Sequence, residues 1–366
     1  MVDAAPLVDP FILLVVVVIT ALVFDYINGF HDTANAIATV VSTNVLSPRT
    51  AVMLAAVFNF GGAFLGTGVA KTIGGDIADP VSITQTVVVC ALLAGIIWNL
   101  VTWALGLPSS SSHTLVGGLI GAVACHRVMD ENANFFEAFS TLMHSKGVTK
   151  VTLGLIISPI AGFLIGFAIM VGLTWIVRRT GPSRVNSLFR HLQLLSASSM
   201  ALSHGSNDAQ KAMGIVTMSL VAYYAKHTAD LPPWLNLAAY QQKGELVVPF
   251  WVIGACAAAM AAGTAAGGWR IIRTMGSKII KLQPIHGFAA ETAGALVILT
   301  ASWLKAPVST THVISSSIMG VGASKRLSAV RWGVAGNILI AWVLTLPVSA
   351  GLGALLYVGL SHVLGR

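Results

Sequence analysis

The chain has 366 residues, of which 55% are hydrophobic and 9% are charged, and its mean hydropathy is +0.82. A soluble domain is about 25% charged, so this composition excludes a water-soluble globular protein and indicates a membrane protein. The net charge of +8 does not indicate a nucleic-acid partner, because the basic residues stand in short loops between apolar segments.

Apolar stretches long enough to cross a bilayer core of about 30 Å recur along the whole chain. They cover residues 11–27, 51–70, 84–105, 151–177, 247–266 and 332–358. These stretches leave no room for a soluble domain between them. The sequence therefore predicts an all-α, polytopic membrane protein with about 10–12 membrane segments.

The first apolar stretch runs into the polar motif NGFHDTANA, and the second half of the chain contains the related motif GSNDAQKA. Asp32 aligns with Asp208 when the sequence is shifted by 176 residues. Gly29 and Gly205, with their polar neighbours, interrupt apolar sequence. This pattern predicts a helix that is broken inside the membrane at each motif, as in many transporters.

Two Ser/Thr-rich turns, PSSSSH and PVSTTH, form a second related pair in the same order. The two ordered pairs predict an internal duplication, with a first repeat in residues 1–180 and a second in residues 181–366. Each repeat has five elements, of which the middle two either cross fully or form a re-entrant hairpin. The number of crossings is odd in both cases, so the second repeat is predicted to be inverted.

Loop charges give an independent prediction of the topology. With the N-terminus outside, the inner loops hold more Lys and Arg residues than the outer segments, as the positive-inside rule requires. We therefore expect both termini on the extracytoplasmic side of the plasma (inner) membrane. The inner residues are then Arg49, Arg178, Arg179, Arg184, Arg190, Arg270, Arg273, Lys278, Lys281, Lys325, Arg326 and Arg331.

Charged residues within the apolar segments are candidates for function, because a charge at the centre of a membrane helix costs about 2.5–3.5 kcal/mol. For Asp25 and Lys305, a position near the membrane interface is a second interpretation. His31, His113, His204 and His312 flank the motifs and either relay protons or pack as hydrogen-bonded core residues. The charged candidates are Asp25, Asp32, Asp208, Lys211, Glu291 and, at a turn, Lys305.

The Ser/Thr runs predict an anion site. Each run follows a proline, Pro108 or Pro307, which places it at the start of a helix, where free N–H groups attract anions. With the two predicted helix breaks, four helix N-termini would surround the anion. The alternative is that the hydroxyls only cap their helices.

Carboxylates repel an anion, so Asp32 and Asp208 suit a site in which a cation binds together with it. Nearby side-chain oxygens from Asn28, Thr33, Asn35 and Asn207 suit a hard cation. Glu291 is a further candidate to bind a cation or a proton. These features predict symport of an oxyanion with a cation.

The motifs NGFHDTANA, PSSSSH, SHGSNDAQKAMG and PVSTTH together resemble those of the inorganic phosphate transporter (PiT, or Pho4) family, of the bacterial low-affinity permease type, over nearly the whole chain. The resemblance implies a dimeric phosphate symporter that binds phosphate between the two Asp motifs and the two Ser/Thr turns. The predicted substrate-binding residues are Asp32, Asn35, Ser110, Ser111, Ser112, Asn207, Asp208, Lys211, Ser309, Thr310 and Thr311. The predicted residues for the coupling ion or proton are Asp32, Asp208, Glu291, Asn28 and His31.

One departure from the family pattern bears on coupling. Lys211 stands at the place equivalent to Asn35, and its ammonium either replaces a bound cation or balances the phosphate charge. The departure resembles the proton-coupled bacterial branch, some members of which carry phosphate as a neutral complex with a divalent metal. Sodium coupling and transport of sulfate or another oxyanion are the alternatives. We expect no enzyme activity, because nucleotide-binding and nucleophile motifs are absent from the sequence. We expect no cofactor beyond the coupling cation and a co-transported metal, and we assign no metal ligands.

Overall fold

The computed structural model describes residues 8–76, 83–130, 133–226 and 247–364, and their regular structure is helical, as predicted. The first repeat contains α1 (Pro10–Ser42), α2 (Pro48–Gly62), α3 (Gly68–Asp76), α4 (Gln85–Leu105), α5 (Ser111–Asp130), α6 (Phe135–Met143) and α7 (Lys146–Val177). The second repeat contains α8 (Pro182–Lys226), α9 (Phe250–Ala266), α10 (Trp269–Arg273), α11 (Pro284–Trp303), α12 (Thr310–Lys325) and α13 (Trp332–Leu364). A π-helical turn, Thr274–Lys278, follows α10, and a 3-10 turn, Leu327–Ala329, follows α12.

Five of the described helices, α1, α4, α7, α11 and α13, are long and apolar enough to cross a membrane. Helices α9 and α10, with the π-helical turn, form a sixth span if this pair, bent by 60°, is counted as one. The predicted set of about 10–12 membrane segments also includes α2, α3 and α12. These helices have 15, 9 and 16 residues, so they are shorter than the five spans. Helix α7 leaves Leu153, Ile157 and Leu164 between 52% and 58% exposed, so its outer face suits an apolar solvent.

Both helices that carry an Asp motif are continuous, so the prediction of breaks at Gly29 and Gly205 is wrong. A glycine inside a helix costs only about 1 kcal/mol, which tertiary packing outweighs. A Cβ atom at Gly29 would lie 2.2 Å from the carbonyl oxygen of Met260 in α9, and one at Gly205 would lie 2.2 Å from that of Asn59 in α2. These glycines therefore allow two helices to approach closely.

The broken helices are found instead in the second element of each repeat. In the first repeat, α2 ends at Gly62 and α3 begins at Gly68. In the second repeat, the chain bends between α9 and α10 at Gly267, whose φ of 73° lies in the left-handed region. The fold thus contains interrupted helices beside the Asp motifs rather than within them.

Helices α1 and α8 lie antiparallel along their whole length. At one end, the rings of Phe11 and Tyr223 are 6.2 Å apart. At the other end, the Arg190 guanidinium donates to the carbonyl oxygen of Asn44 at 2.9 Å. Because α1 and α8 are equivalent elements of the two repeats, this arrangement confirms that the second repeat is inverted.

The buried apolar residues form two clusters, one at each end of this helix pair. Cluster 1 includes Phe24 of α1 and Ala209 of α8, and cluster 2 includes Ala34 and Ala201 of the same helices. The chain passes from cluster 1 to cluster 2 along α1 and in the reverse order along α8. The two Asp motifs therefore occupy the layer between the clusters.

Elements of the two repeats are interleaved. Helix α1 packs against α9, α8 against α2, α5 against α13 and α12 against α7. Equivalent hydrogen bonds join the repeats in both directions: Thr72 donates to the carbonyl oxygen of Lys305, and Thr274 donates to that of Gly106, each at 2.8 Å. Such reciprocal contacts define a pseudo-twofold axis. The boundary predicted after residue 180 falls in the connection between α7 and α8.

Candidate functional site

Asp32 lies at the centre of the molecule, 2% exposed, and it receives groups from both repeats. The Ser111 hydroxyl donates to Oδ2 and the Thr311 hydroxyl donates to Oδ1, each at 3.3 Å. His31 Nδ1 lies 2.7 Å from Oδ1. The side chain of Asn35, one turn along α1, donates to the hydroxyls of Thr310 and Thr311 at 3.2 and 3.0 Å.

Asp208 occupies the equivalent place on α8 and is fully buried. The Lys211 ammonium lies 2.5 Å from Oδ1, and the Thr310 hydroxyl donates to Oδ2 at 3.1 Å. His204 Nε2 lies 3.2 Å from Oδ2. The ammonium and the hydroxyl compensate a carboxylate that would otherwise be costly at this depth.

The Ser/Thr turns meet between these two carboxylates. Helix α5 begins at Ser111 and α12 begins at Thr310, and the first N–H groups of a helix have no acceptor within it. The hydroxyls of Ser110 and Ser309 accept from the backbone N–H of His113 and His312, so both residues act as helix caps. Ser112 donates to the carbonyl oxygen of Val308 at 3.3 Å and joins the two turns.

Two helix N-termini, rather than the predicted four, are therefore available to an anion here. The other two were expected from breaks in α1 and α8, which do not occur. Hydroxyls, the Asn35 amide and the Lys211 ammonium line the same centre, where they donate to the two carboxylates and to one another, and an oxyanion that binds here takes the place of some of these acceptors. This arrangement provides an oxyanion with donors on several sides.

Asp32, Asp208 and His204 form a compact group of ligand atoms. One atom from each lies within 4.8 Å of the others, which is close enough for a shared metal ion. His204 is not among the predicted site residues, although the sequence flags it as a neighbour of the motif. In a continuous helix, residues four apart lie on the same face, so His204 and Asp208 are neighbours. The sequence spacing predicts this pairing only if α8 is unbroken.

Three predicted residues lie apart from this group. The Asn207 amide donates to Ser302 of α11 at 3.0 Å rather than to the centre. Asn28 is buried, and neither of its amide atoms has a hydrogen-bond partner among the described residues. Glu291 accepts from Thr39 at 2.5 Å and from Gln193 at 3.0 Å, and Ser196 donates to its second oxygen. Glu291 thus joins α1, α8 and α11 in a separate polar cluster.

Lys305 and Asp25, the two charged residues with a second interpretation, differ in their exposure. Lys305 is exposed at the turn before α12, with a positive φ of 57°. Asp25 is fully buried in α1, so its side chain does not reach out to the surface of the protein. Neither carboxyl oxygen of Asp25 has a hydrogen-bond partner within the described part of the chain.

His113 and His312 meet across the pseudo-twofold axis, with ring centroids 4.8 Å apart. His312 also stacks on Trp342 at 3.8 Å, and both of its ring nitrogens are without a hydrogen-bond partner among the described residues. These contacts favour a packing role for His312.

The inverted repeats, the apolar spans and the buried polar centre define a multi-pass membrane transport protein. The sequence profile of the phosphate transporter family (PHO4) matches residues 28–353, and the chain belongs to this family. Its members are transporters and not enzymes, as predicted.

Similar proteins cover almost the entire chain. A protein of Bacillus subtilis named "Probable low-affinity inorganic phosphate transporter" is 48% identical over 94% of this chain and 96% of its own length. A protein of Rhizobium meliloti with the same name is 47% identical over 95% of this chain and 96% of its own length. The solved structure of a sodium-dependent phosphate transporter superposes with a TM-score of 0.71 at 25% identity, covering 96% of this chain and all of that one.

Proposed function

We propose that this protein is a secondary active transporter that imports inorganic phosphate by symport with a cation, and that the cation is a proton. The observation that carries the proposal is the meeting of Asp32 and Asp208 with the Ser/Thr turns of both repeats. Hydroxyl, amide and ammonium donors suit the oxygens of phosphate. The carboxylates suit a cation or the proton that phosphate retains near neutral pH.

Binding between inverted repeats provides alternating access in principle. Phosphate would contact Asp32, Asn35, Ser111, Thr310 and Thr311, beside the ion pair of Lys211 and Asp208. Rocking of one set of packed helices against the other would then open the centre to each side in turn. Ser110, Ser112 and Ser309 would hold the shape of the turns, and Asn207 of α8 would act through Ser302 of α11.

Proton coupling is favoured over sodium coupling by Lys211. Its ammonium, at the place equivalent to Asn35, compensates the Asp208 carboxylate, so a sodium ion is not required for this purpose in the second repeat. The sodium dependence of the structural relative keeps sodium as the alternative. Glu291, Asn28 and His31 remain proposed participants in coupling.

A divalent metal complex of phosphate is a second form of the substrate. The group of Asp32, His204 and Asp208 supports it, because two carboxylates and an imidazole suit a divalent cation. The metal would travel as cargo with phosphate. This form predicts that uptake depends on the divalent ion supplied.

We also propose a plasma-membrane location with both termini outside, and a homodimer. The start of α1 and the end of α13 both contribute to cluster 1, through Leu13 and Tyr357, so they lie at the same end of the molecule. A cavity of about 700 Å3 beside the other end of α1 is lined by Arg270, Arg273 and Lys278, which supports an inner face there. Exposed apolar residues on α7 would face lipid or a second copy.

The deciding experiment is uptake of radiolabelled phosphate into proteoliposomes under an imposed proton or sodium gradient, with and without magnesium. We expect gradient-driven uptake by the intact protein and loss of uptake in Asp32→Asn. The gradient that drives uptake identifies the coupling ion. Accumulation of sulfate without phosphate would overturn the substrate assignment.

A further inference from the structure

Asp25 is the buried acid that the proposed binding site does not use. It lies in α1, two turns before Asp32, and its side chain is fully buried without a hydrogen-bond partner among the described residues. An ionised carboxylate in such a place requires compensation by a counter-ion or by a proton. The surroundings of Asp25 therefore decide its charge.

The groups that act on Asp25 come from three helices. Asp208 and Lys211 of α8 and the Cys256 thiol of α9 are close enough to interact with it electrostatically, and the Asn28 amide, one turn further along α1, is its polar neighbour. Helix α4 contains no Asp, Glu, Lys, Arg or His, and α2 contains only Arg49, in its first turn. On α8, the two buried basic groups, His204 and Lys211, both lie against Asp208, at 3.2 and 2.5 Å.

Charge counting then leaves one carboxylate uncompensated. Asp25, Asp32 and Asp208 carry three potential negative charges, of which Asp32 lies against His31, and Asp208 lies against His204 and the Lys211 ammonium. The ammonium lies 2.5 Å from Asp208, so that ion pair is already formed. Asp25 has no such basic partner, so it is neutral in this buried region only when it carries a proton.

Comparison of the repeats strengthens this relationship. The residue equivalent to Asp25 in the second repeat is Ala201, and the residue equivalent to Lys211 in the first is Asn35. One departure adds an acid and the other adds a base, and the two charges are close enough to interact electrostatically. The departures from symmetry thus form one interacting unit.

We propose that Asp25 is a proton-binding site that carries the coupling proton, with Lys211 and Asp208 as the ion pair that keeps it protonated. This proposal rests on the proposed phosphate symport and deepens it. The proton binds the Asp25 carboxylate on the side of entry and leaves it on the other side, while Lys211 remains an ammonium. A sodium ion is disfavoured, because Asp25 and Asn28 offer only three side-chain oxygens.

The test compares exchange with accumulation in proteoliposomes. Asp25→Asn mimics the protonated side chain in shape and charge. We expect this variant to keep exchange of radiolabelled phosphate between equal internal and external pools, which needs no net proton movement. We expect it to lose accumulation driven by a pH gradient, and to lose proton uptake reported by a pH-sensitive dye inside the vesicles.

Two further variants complete the design. Asp25→Glu retains a carboxyl group and should retain proton-driven accumulation. Ser158→Ala removes another buried, unpartnered polar group from α7 and should match the intact protein in both assays. Accumulation by Asp25→Asn at the intact level overturns the proposal, and so does loss of exchange together with accumulation in that variant. If the intact protein exchanges phosphate but ignores the pH gradient, this inference fails while phosphate transport stands; absence of exchange overturns the proposed function itself.

Discussion

Asn35 of the first repeat donates a hydrogen bond of 3.0 Å to the Thr311 hydroxyl of the second, and Thr311 in turn donates to Asp32 at 3.3 Å. A turn from one repeat is thereby fixed to the Asp-bearing helix of the other. Any movement that separates these elements must break both bonds.

Replacing Thr311 with Val should weaken phosphate binding about tenfold or more. The change keeps the shape of the side chain but removes both hydrogen bonds, and each buried polar group left unpaired costs about 1–3 kcal/mol. Binding of radiolabelled phosphate to the purified protein measures the effect. Thr217→Val is the matched control, because Thr217 donates only to Met213 of its own helix. Equal losses in both variants would contradict a specific role for Thr311.

Lys211→Asn should make phosphate uptake depend on sodium. The variant restores the residue found at the equivalent place in the first repeat and leaves Asp208 without its ammonium, so an external cation is needed to compensate the carboxylate. Initial rates of uptake with sodium or choline in the medium measure the change. Lys305→Asn removes an exposed cation and serves as the control. Unchanged coupling in Lys211→Asn would favour a role in balancing phosphate charge.

Alanine at Gly29 or Gly205 should prevent stable folding. An added methyl group would lie 2.2 Å from a backbone oxygen of the neighbouring helix, and a backbone atom has no side-chain freedom with which to move away. The yield of monodisperse protein after detergent extraction is the readout. Gly172→Ala, where nothing lies within 4 Å of the added Cβ, should behave like the intact protein or better. Normal yield of Gly29→Ala would show that α1 and α9 can separate without cost.

Glu291→Gln should lower thermal stability. Glu291 accepts hydrogen bonds from Thr39, Gln193 and Ser196, and a Gln amide places an additional donor against these donors. A cost of about 1–3 kcal/mol is expected for the resulting unpaired groups. Unfolding temperature in detergent measures the change. Ser198→Ala, which loses a bond only within α8, is the comparison, and an unchanged unfolding temperature in Glu291→Gln would contradict a bridging role.

The sequence predicts the inverted repeats because two motif pairs recur in the same order, and it predicts the central residues because charge is expensive in a membrane. The predicted helix breaks at Gly29 and Gly205 are wrong because the local sequence does not distinguish a glycine that ends a helix from one that lets a neighbouring helix pack closely. The distinction depends on Met260 and Asn59, which are distant in sequence. The role of His204 is hidden for the same reason, since its pairing with Asp208 depends on an unbroken α8.

The interleaving of the repeats has a consequence for biosynthesis. Helix α1 leaves the ribosome long before α9, the helix that covers its close-packed glycine, has been made. During this interval the nascent first repeat must hold Asp25, Asn28 and Asp32 in the membrane without their final neighbours. We therefore expect the first half, expressed alone, to remain bound to insertion factors or to be degraded, and its lifetime in the membrane to lengthen when the second half is supplied as a separate chain.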